Sequence, residues 1–170
     1  MSIDLLTSDW RSVRDGFIAE VETIPAEKFD FKATPETRSI AELIQHIIEA
    51  QKVIVGEICR PDTNFGRAPF PELIREYAPE VKGHTDKAGL LSLLKSSQDA
   101  AEATIHSFGE AAMQAETQRM DGKITTKLGF LQGISSHEMY HRGQLTVYQR
   151  LLGIEPALTT LFRKMFAKDA

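Results

Sequence analysis

The chain has 170 residues, 42% of them hydrophobic and 26% charged, which is typical of one globular domain with a sizeable core. Its formal net charge of −4 argues against a nucleic-acid binder or a protein of anionic membranes, because both usually carry a basic surplus. The single cysteine, Cys59, excludes an internal disulfide and fits a reducing compartment.

The first half of the chain predicts two long amphipathic helices, because apolar residues recur at three- and four-residue steps. The first helix is predicted from about Ser2 to Thr23, and residues 26–38 follow as an ordered loop. The second helix begins after Ser39, whose side chain can form a capping box with Glu42. It ends at the Arg60-Pro61 pair, since a proline disfavours helix at the residue before it.

The second half predicts two more long helices after an irregular segment, residues 62–83, in which 71–78 has the length of one or two helical turns. The third helix is predicted from Thr85 or Asp86 to about Phe108, and either Gly109 ends it or residues 110–116 extend it. The fourth is capped by Thr125 or Thr126 and ends at Gly153. A short fifth helix follows over 157–168. We therefore predict an all-α protein without a β-sheet, a four-helix bundle with a short C-terminal helix, in one domain over residues 1–170.

The fourth predicted helix carries two histidines, His137 and His141, on one face. A spacing of four residues leaves them about 40° apart around the axis and one turn apart along it. Leu131, Ile134 and Leu145 share that face, which therefore looks inward. Two imidazoles on a core face are explained either by a bound divalent metal or by ordinary hydrogen bonding.

His46 is the predicted third ligand, because it lies near the middle of the second helix on its apolar stripe. Bundles build metal sites from side chains on facing helices. Three imidazole nitrogens suit zinc, nickel, iron(II) or copper(II) and disfavour magnesium and calcium. Three protein ligands leave a position open, which is the catalytic pattern, and an open metal can activate water or a thiol.

The remaining candidates for metal binding are weaker. His84 and His106 lie near helix ends and are predicted to be solvated. Cys59 lies about 220° around the helix from His46, so we expect a small buried hydrophobe there. The sequence of residues 137–141, HEMYH, also matches the zinc-protease motif H-E-x-x-H, but the further ligand that such proteases need downstream is missing.

Three neighbours of the histidines are the candidates for catalysis, and none has an assigned role. Glu138 is about 100° from His137 and is predicted to face solvent or an interface, with a role as a base left open. Gln144 is close to the histidine face and is expected to hydrogen-bond a ligand histidine or a bound water. Tyr148 either reaches the pocket or packs in the core.

Residues 137–144, HEMYHRGQ, resemble the H-x-x-x-H-R-G-Q signature of the DinB family, small four-helix proteins named for DNA-damage inducibility in bacteria. Residues 39–47, SIAELIQHI, are similar to the second-helix segment of that family, and residues 150–156, RLLGIEP, to its end of helix four. The resemblance implies a divalent metal held by His46, His137 and His141. It also implies a homodimer and, from characterised relatives, dependence on a low-molecular-weight thiol such as bacillithiol or mycothiol.

The leading prediction is therefore a cytoplasmic DinB-type enzyme in which a metal activates water or a thiol for transfer or hydrolysis on a small electrophile. Zinc or nickel is expected first, with iron and manganese open. The alternatives are a non-catalytic metal-binding stress-response protein and, third, a zinc protease. We expect a small-molecule substrate and no nucleic-acid or membrane partner. The absence of a signal peptide pattern and of a long apolar run supports the cytoplasmic location.

Overall fold

Four long helices form the framework, and each begins at a polar residue whose side chain accepts a hydrogen bond from the first turn. The computed structural model describes residues 2–119 and 121–167. Ser39 forms the predicted capping box with Glu42. The long helices, with their capping residues, are α1 (Ile3–Thr23, Ser2), α2 (Ile40–Ile58, Ser39), α4 (Lys87–Phe108, Asp86) and α6 (Lys127–Leu151, Thr126).

Shorter elements connect and extend this framework: α3 (Phe70–Tyr77), α5 (Glu110–Met113) and α7 (Ala157–Phe166). Residue 168, where the predicted fifth helix ends, is outside the described residues. Gly109 ends α4 with a φ of 90°, which favours glycine. The all-α bundle with its C-terminal helix is confirmed, but the prediction of no β-sheet is wrong. The strands β1 (Glu116–Gln118) and β2 (Ile124–Thr126) pair antiparallel, and they are too short to show a two-residue period.

The four long helices enclose a core in two apolar clusters. Helix α1 packs against α4 and α6, and α2 packs against the same two helices. One cluster surrounds Phe17 and Ile44, and the other surrounds Trp10 and Leu131. In the described part of the chain, no helix combines the length and the apolar character that crossing a membrane requires.

A layer of buried polar side chains separates the two clusters. Each long helix contributes one residue to it: Arg14, Gln51, Ser97 and Glu138. The guanidinium of Arg14 pairs with Glu138 and also donates to Gln51 Oε1 at 2.7 Å and to the Leu94 carbonyl at 2.9 Å. Because every long helix contributes to it, this layer fixes how the helices are rotated relative to one another.

The C-terminal helix is attached through Glu20 of α1, which is fully buried. Its carboxylate accepts hydrogen bonds from the backbone N–H groups of Ala157 (2.6 Å) and Leu158 (3.2 Å), the first residues of α7. It also pairs with Arg142 and accepts from Gln149 of α6. A carboxylate at a helix N-terminus satisfies amides that have no partner within the helix and is favoured by the helix dipole.

Candidate metal centre

The three histidines selected from the sequence come together between α2 and α6. The Nε2 atom of His137 lies 3.2 Å from Nε2 of His46 and 3.0 Å from Nε2 of His141. His141 is buried, and the other two are half-buried. The face of α6 predicted to look inward therefore does so, and it meets the centre of α2.

The spacing of two of the three nitrogen pairs fits ligands of one transition metal, and the ligand atoms of all three histidines lie within 4.8 Å of one another. With metal–nitrogen bonds of about 2.05 Å, two ligand nitrogens are about 2.9 Å apart at a right angle and about 3.35 Å apart at a tetrahedral angle. Both observed distances, 3.0 and 3.2 Å, lie between these values. The donor set of three imidazoles suits zinc, nickel, iron(II) or copper(II).

Hydrogen bonding among the rings accounts for the cluster less well. Nδ1 of His141 lies 2.7 Å from Oε1 of Gln144, an oxygen that only accepts, so Nδ1 carries the proton and Nε2 presents a lone pair. His137 Nε2 faces both that lone pair and Nε2 of His46. Without a cation, a single N–H on His137 Nε2 would have to donate to the Nε2 atoms of both His46 and His141. A metal ion instead accepts the lone pairs of all three nitrogens.

The electrostatic surroundings keep the three imidazoles neutral, the form that binds metals. Burial lowers the pKa of His46 and of His137 to about 4, and the positive charge of Arg38 contributes to both shifts. Burial also lowers the pKa of His141, an effect that its hydrogen bond to Gln144 opposes. At neutral pH protons therefore do not compete for the nitrogens.

Gln144 and Tyr148, the two other candidate residues on α6, each form a side-chain hydrogen bond. The expected hydrogen bond of Gln144 to a histidine is present, on His141. Such outer partners fix the tautomer and ring orientation of a ligand. The Tyr148 ring is buried against Phe31, and its hydroxyl donates to the backbone carbonyl of Arg38 at 3.1 Å. Tyr148 therefore holds the segment that precedes α2 close to α6.

Glu138 was predicted to face solvent or an interface, and both are wrong, because its side chain is buried inside the bundle. Its side chain is 1% exposed, and Arg14 donates to both carboxylate oxygens. Oε2 also accepts from Trp10 Nε1 at 2.8 Å. Polar residues on a helix are usually solvated, but here α1 supplies a buried cation and an indole N–H. Its carboxylate is thus directed at α1, and the motif HEMYH lacks the free glutamate of a zinc protease.

Residues outside the cluster behave largely as expected. His106 is exposed on α4, and His84 is half-buried in the loop before it. Cys59 is half-buried against the apolar cluster around Trp10, and burial raises the pKa of its thiol to about 11. None of the three reaches the three-histidine cluster.

A cavity of about 780 Å³ opens beside His46. Its walls come from the segment before α2, from the exposed side of α2, from α3 and from the loop before α4. Its charged lining residues were not selected from the sequence, because their side chains meet only through the fold: Asp30, Lys32, Glu36, Arg38, Glu42, Glu49 and Lys82. Of the three histidines, His46 contributes to the wall of this space, which is large enough for a small molecule.

Together these features describe a helical-bundle protein with a three-histidine cluster of metal-binding geometry. The profile of the DinB family matches residues 1–169, so the chain belongs to the DinB family. A comparison with the curated proteins gave no significant match.

Solved structures with the same fold include two DinB-like proteins. The one from Bacillus subtilis is 21% identical with a TM-score of 0.65, covering 88% of this chain and 92% of that chain. The one from Bacillus cereus is 16% identical with a TM-score of 0.68, covering 91% and 95%. A mycothiol-dependent maleylpyruvate isomerase is 15% identical with a TM-score of 0.67, covering 85% of this chain and 61% of that chain. At these identities the likeness shows the fold alone.

Proposed function

We propose that this protein is a DinB-type enzyme whose three histidines, His46, His137 and His141, hold one divalent transition metal. The observation that carries the proposal is the convergence of three neutral Nε2 atoms at metal-ligand spacing beside a cavity. Zinc or nickel is expected first, and iron or manganese remains open. When bound, the metal supplies Lewis acidity that lowers the pKa of a water or thiol at its open position.

The substrate we propose is a small electrophile, which receives the thiol by transfer or is hydrolysed by water. Use of a low-molecular-weight thiol is supported by the fold shared with an isomerase that depends on mycothiol. The chain contributes the ligands, the bond from Gln144 that fixes the tautomer of His141, and a cavity to hold the substrate. A non-catalytic metal protein remains the alternative, and it predicts a closed coordination sphere.

Elemental analysis of protein purified without an affinity tag or chelator tests the metal site. We expect about one transition metal per chain, as for other sites of this kind, and its loss in His46→Ala and in His137→Ala. His106→Ala is the matched control, because it removes an exposed histidine away from the cluster. Metal that is indifferent to His46→Ala would show that the three-histidine site is wrong.

Cobalt(II) substitution then separates an enzyme from a metal-storage or structural protein. An open site should gain a thiolate-to-cobalt absorption band when a small thiol is added, and a closed site should not. A screen of thiol transfer to small electrophiles follows only in the first case. Peptide cleavage that disappears in Glu138→Gln would instead revive the protease alternative.

We further propose a homodimer through the outer face of α6 together with α7. Tyr140, Val147 and Leu151 lie on that face at helical spacing and are 65%, 53% and 61% exposed. Gly143 lies in the same stripe, and among the described residues a Cβ added there would meet nothing within 4 Å outside its own turn of helix. Light scattering of the native protein and of Val147→Lys tests this contact, with the variant expected to be monomeric. The cytoplasmic location and the absence of nucleic-acid and membrane partners stay predictions.

A further inference from the structure

The cavity beside His46 has a charge pattern that the proposed function does not use. Among the residues that the structure describes, Lys32 pairs with Glu42 at 2.9 Å, so these two lining charges neutralise each other. Burial raises the pKa of Glu49, and the positive charges of Lys82 and of Arg38 oppose that rise, so both bases lie near this carboxylate. Asp30 and Glu36 lie on the exposed rim.

Arg38 is the basic residue of this lining whose charge acts on the histidines as well as on Glu49. Within the described residues its guanidinium forms no ion pair and no hydrogen bond, although most arginines of the chain are paired. Its charge contributes to lowering the pKa of all three clustered histidines, so it lies within electrostatic reach of the metal centre. Arg38 and His46 line the same cavity.

The backbone that carries Arg38 is held in place, although its side chain is exposed. Tyr148 of α6 donates to the carbonyl of Arg38, and the amides of Ile40 and Ala41 donate to the carbonyls of Phe31 and Phe29. Ser39, the next residue, caps α2. The guanidinium therefore starts from a fixed point beside the histidines, and only side-chain rotation is needed to bring it to a ligand.

We propose that Arg38 binds a carboxylate of the small ligand whose other end reaches the metal position beside His46. A planar guanidinium with its fork of donors matches a carboxylate in a bidentate pair. The proposal rests on the proposed function and narrows it, because it selects a carboxylate-bearing thiol or electrophile as the ligand class. Arg38 and the metal would then hold the two ends of one molecule and fix its orientation.

Two thiols that differ only in charge test this assignment. The cobalt(II)-loaded protein is titrated with 3-mercaptopropionate and with 3-mercaptopropionamide, and the thiolate absorption band gives both dissociation constants. We expect the acid to bind about tenfold more tightly than the amide, because a hydrogen bond to a charged group is stronger than one to a neutral group. The ratio should fall to near one in Arg38→Met and recover in Arg38→Lys.

The control variant is Lys95→Met, which also removes one positive charge. Lys95 lies on α4 outside this cavity and pairs with Glu22. This variant should keep the preference for the acid. A wild-type ratio near one, or a ratio that Arg38→Met leaves unchanged, overturns the assignment while the thiol-binding metal site stands. Circular dichroism checks that Arg38→Met folds, which the exposed side chain leads us to expect.

A calorimetric titration with succinate decides the matter if neither thiol binds, an outcome that would count against the proposed function. Succinate binding to the metal-loaded or metal-free protein that is lost in Arg38→Met supports the carboxylate site, and no binding overturns it. Where 3-mercaptopropionamide does bind, a succinate titration in its presence identifies the source of the carboxylate. Succinate that binds together with saturating 3-mercaptopropionamide places the carboxylate on the electrophile, and succinate that competes places it on the thiol.

Discussion

Replacing Glu138 by leucine should lower the free energy of unfolding strongly, because it leaves Arg14 charged and without its carboxylate in the core. Both side chains are 1% exposed. Removing one partner of a buried ion pair typically costs about 3–5 kcal/mol, whereas the whole stability of a domain is about 5–15 kcal/mol. Gln51, Leu94 and Ser97 still accept from the guanidinium, but none of them carries a negative charge.

Urea unfolding followed by circular dichroism measures this effect. With a slope of about 2 kcal/mol per molar urea, the midpoint should fall by about 1.5–2.5 M. The control Glu22→Leu breaks the exposed pair with Lys95 and should cost less than about 1 kcal/mol. The double variant Arg14→Met, Glu138→Leu should regain much of the loss, because no buried charge is left. A midpoint for Glu138→Leu equal to that of Glu22→Leu would refute the reasoning.

Three further predictions concern the cluster and the last helix. Gln144→Ala should weaken metal binding by about 10–100-fold, measured by competition with a chelator, because His141 loses the acceptor that orients it. The metal-free protein should become less stable to urea as the pH falls from 7 through 6.5 towards 4. His46 and His137 have pKa values of about 4 in the folded protein and about 6.5 in the unfolded chain. In this range the unfolded chain therefore binds more protons than the folded protein, and falling pH favours unfolding. His46→Ala should flatten that dependence. Glu20→Gln should expose α7 to limited proteolysis before the bundle is cut, since its first amides lose a charged acceptor.

The framework could be predicted because its signals are local. Helix starts at Ser39 and Thr126 and the stop at Gly153 depend on residues within one turn, and apolar steps of three and four residues determine which face is buried. The histidine pair on α6 follows from helix geometry alone. The prediction of His46 as the third ligand required only that α2 and α6 pack against each other, as helices of a bundle do.

The features that the sequence did not predict depend on residues that are far apart in the chain. Glu138 is polar on a helix, and the preference of such residues for solvent is overridden only because Arg14, 124 positions away, is buried opposite it. A signal did exist: Arg14 follows Trp10 by four residues and precedes Phe17 by three, so it stands within the apolar stripe of α1. Arg38 offered no comparable signal, because its importance depends on a cavity that four separate segments build.

The burial of Glu138 also explains why the sequence HEMYH does not form the site of a zinc protease here. Glu138 is about 100° around α6 from His137, so when Arg14 draws the carboxylate towards α1, the two histidines turn towards α2. The polar layer therefore sets the rotation of α6 that brings His137 within 3.2 Å of His46. Loosening the layer should consequently reduce metal affinity as well as stability, although Glu138 and Arg14 touch no histidine nitrogen. If a folded Glu138→Gln variant keeps its metal affinity, the polar layer does not orient the histidines, and their orientation depends on helix packing alone.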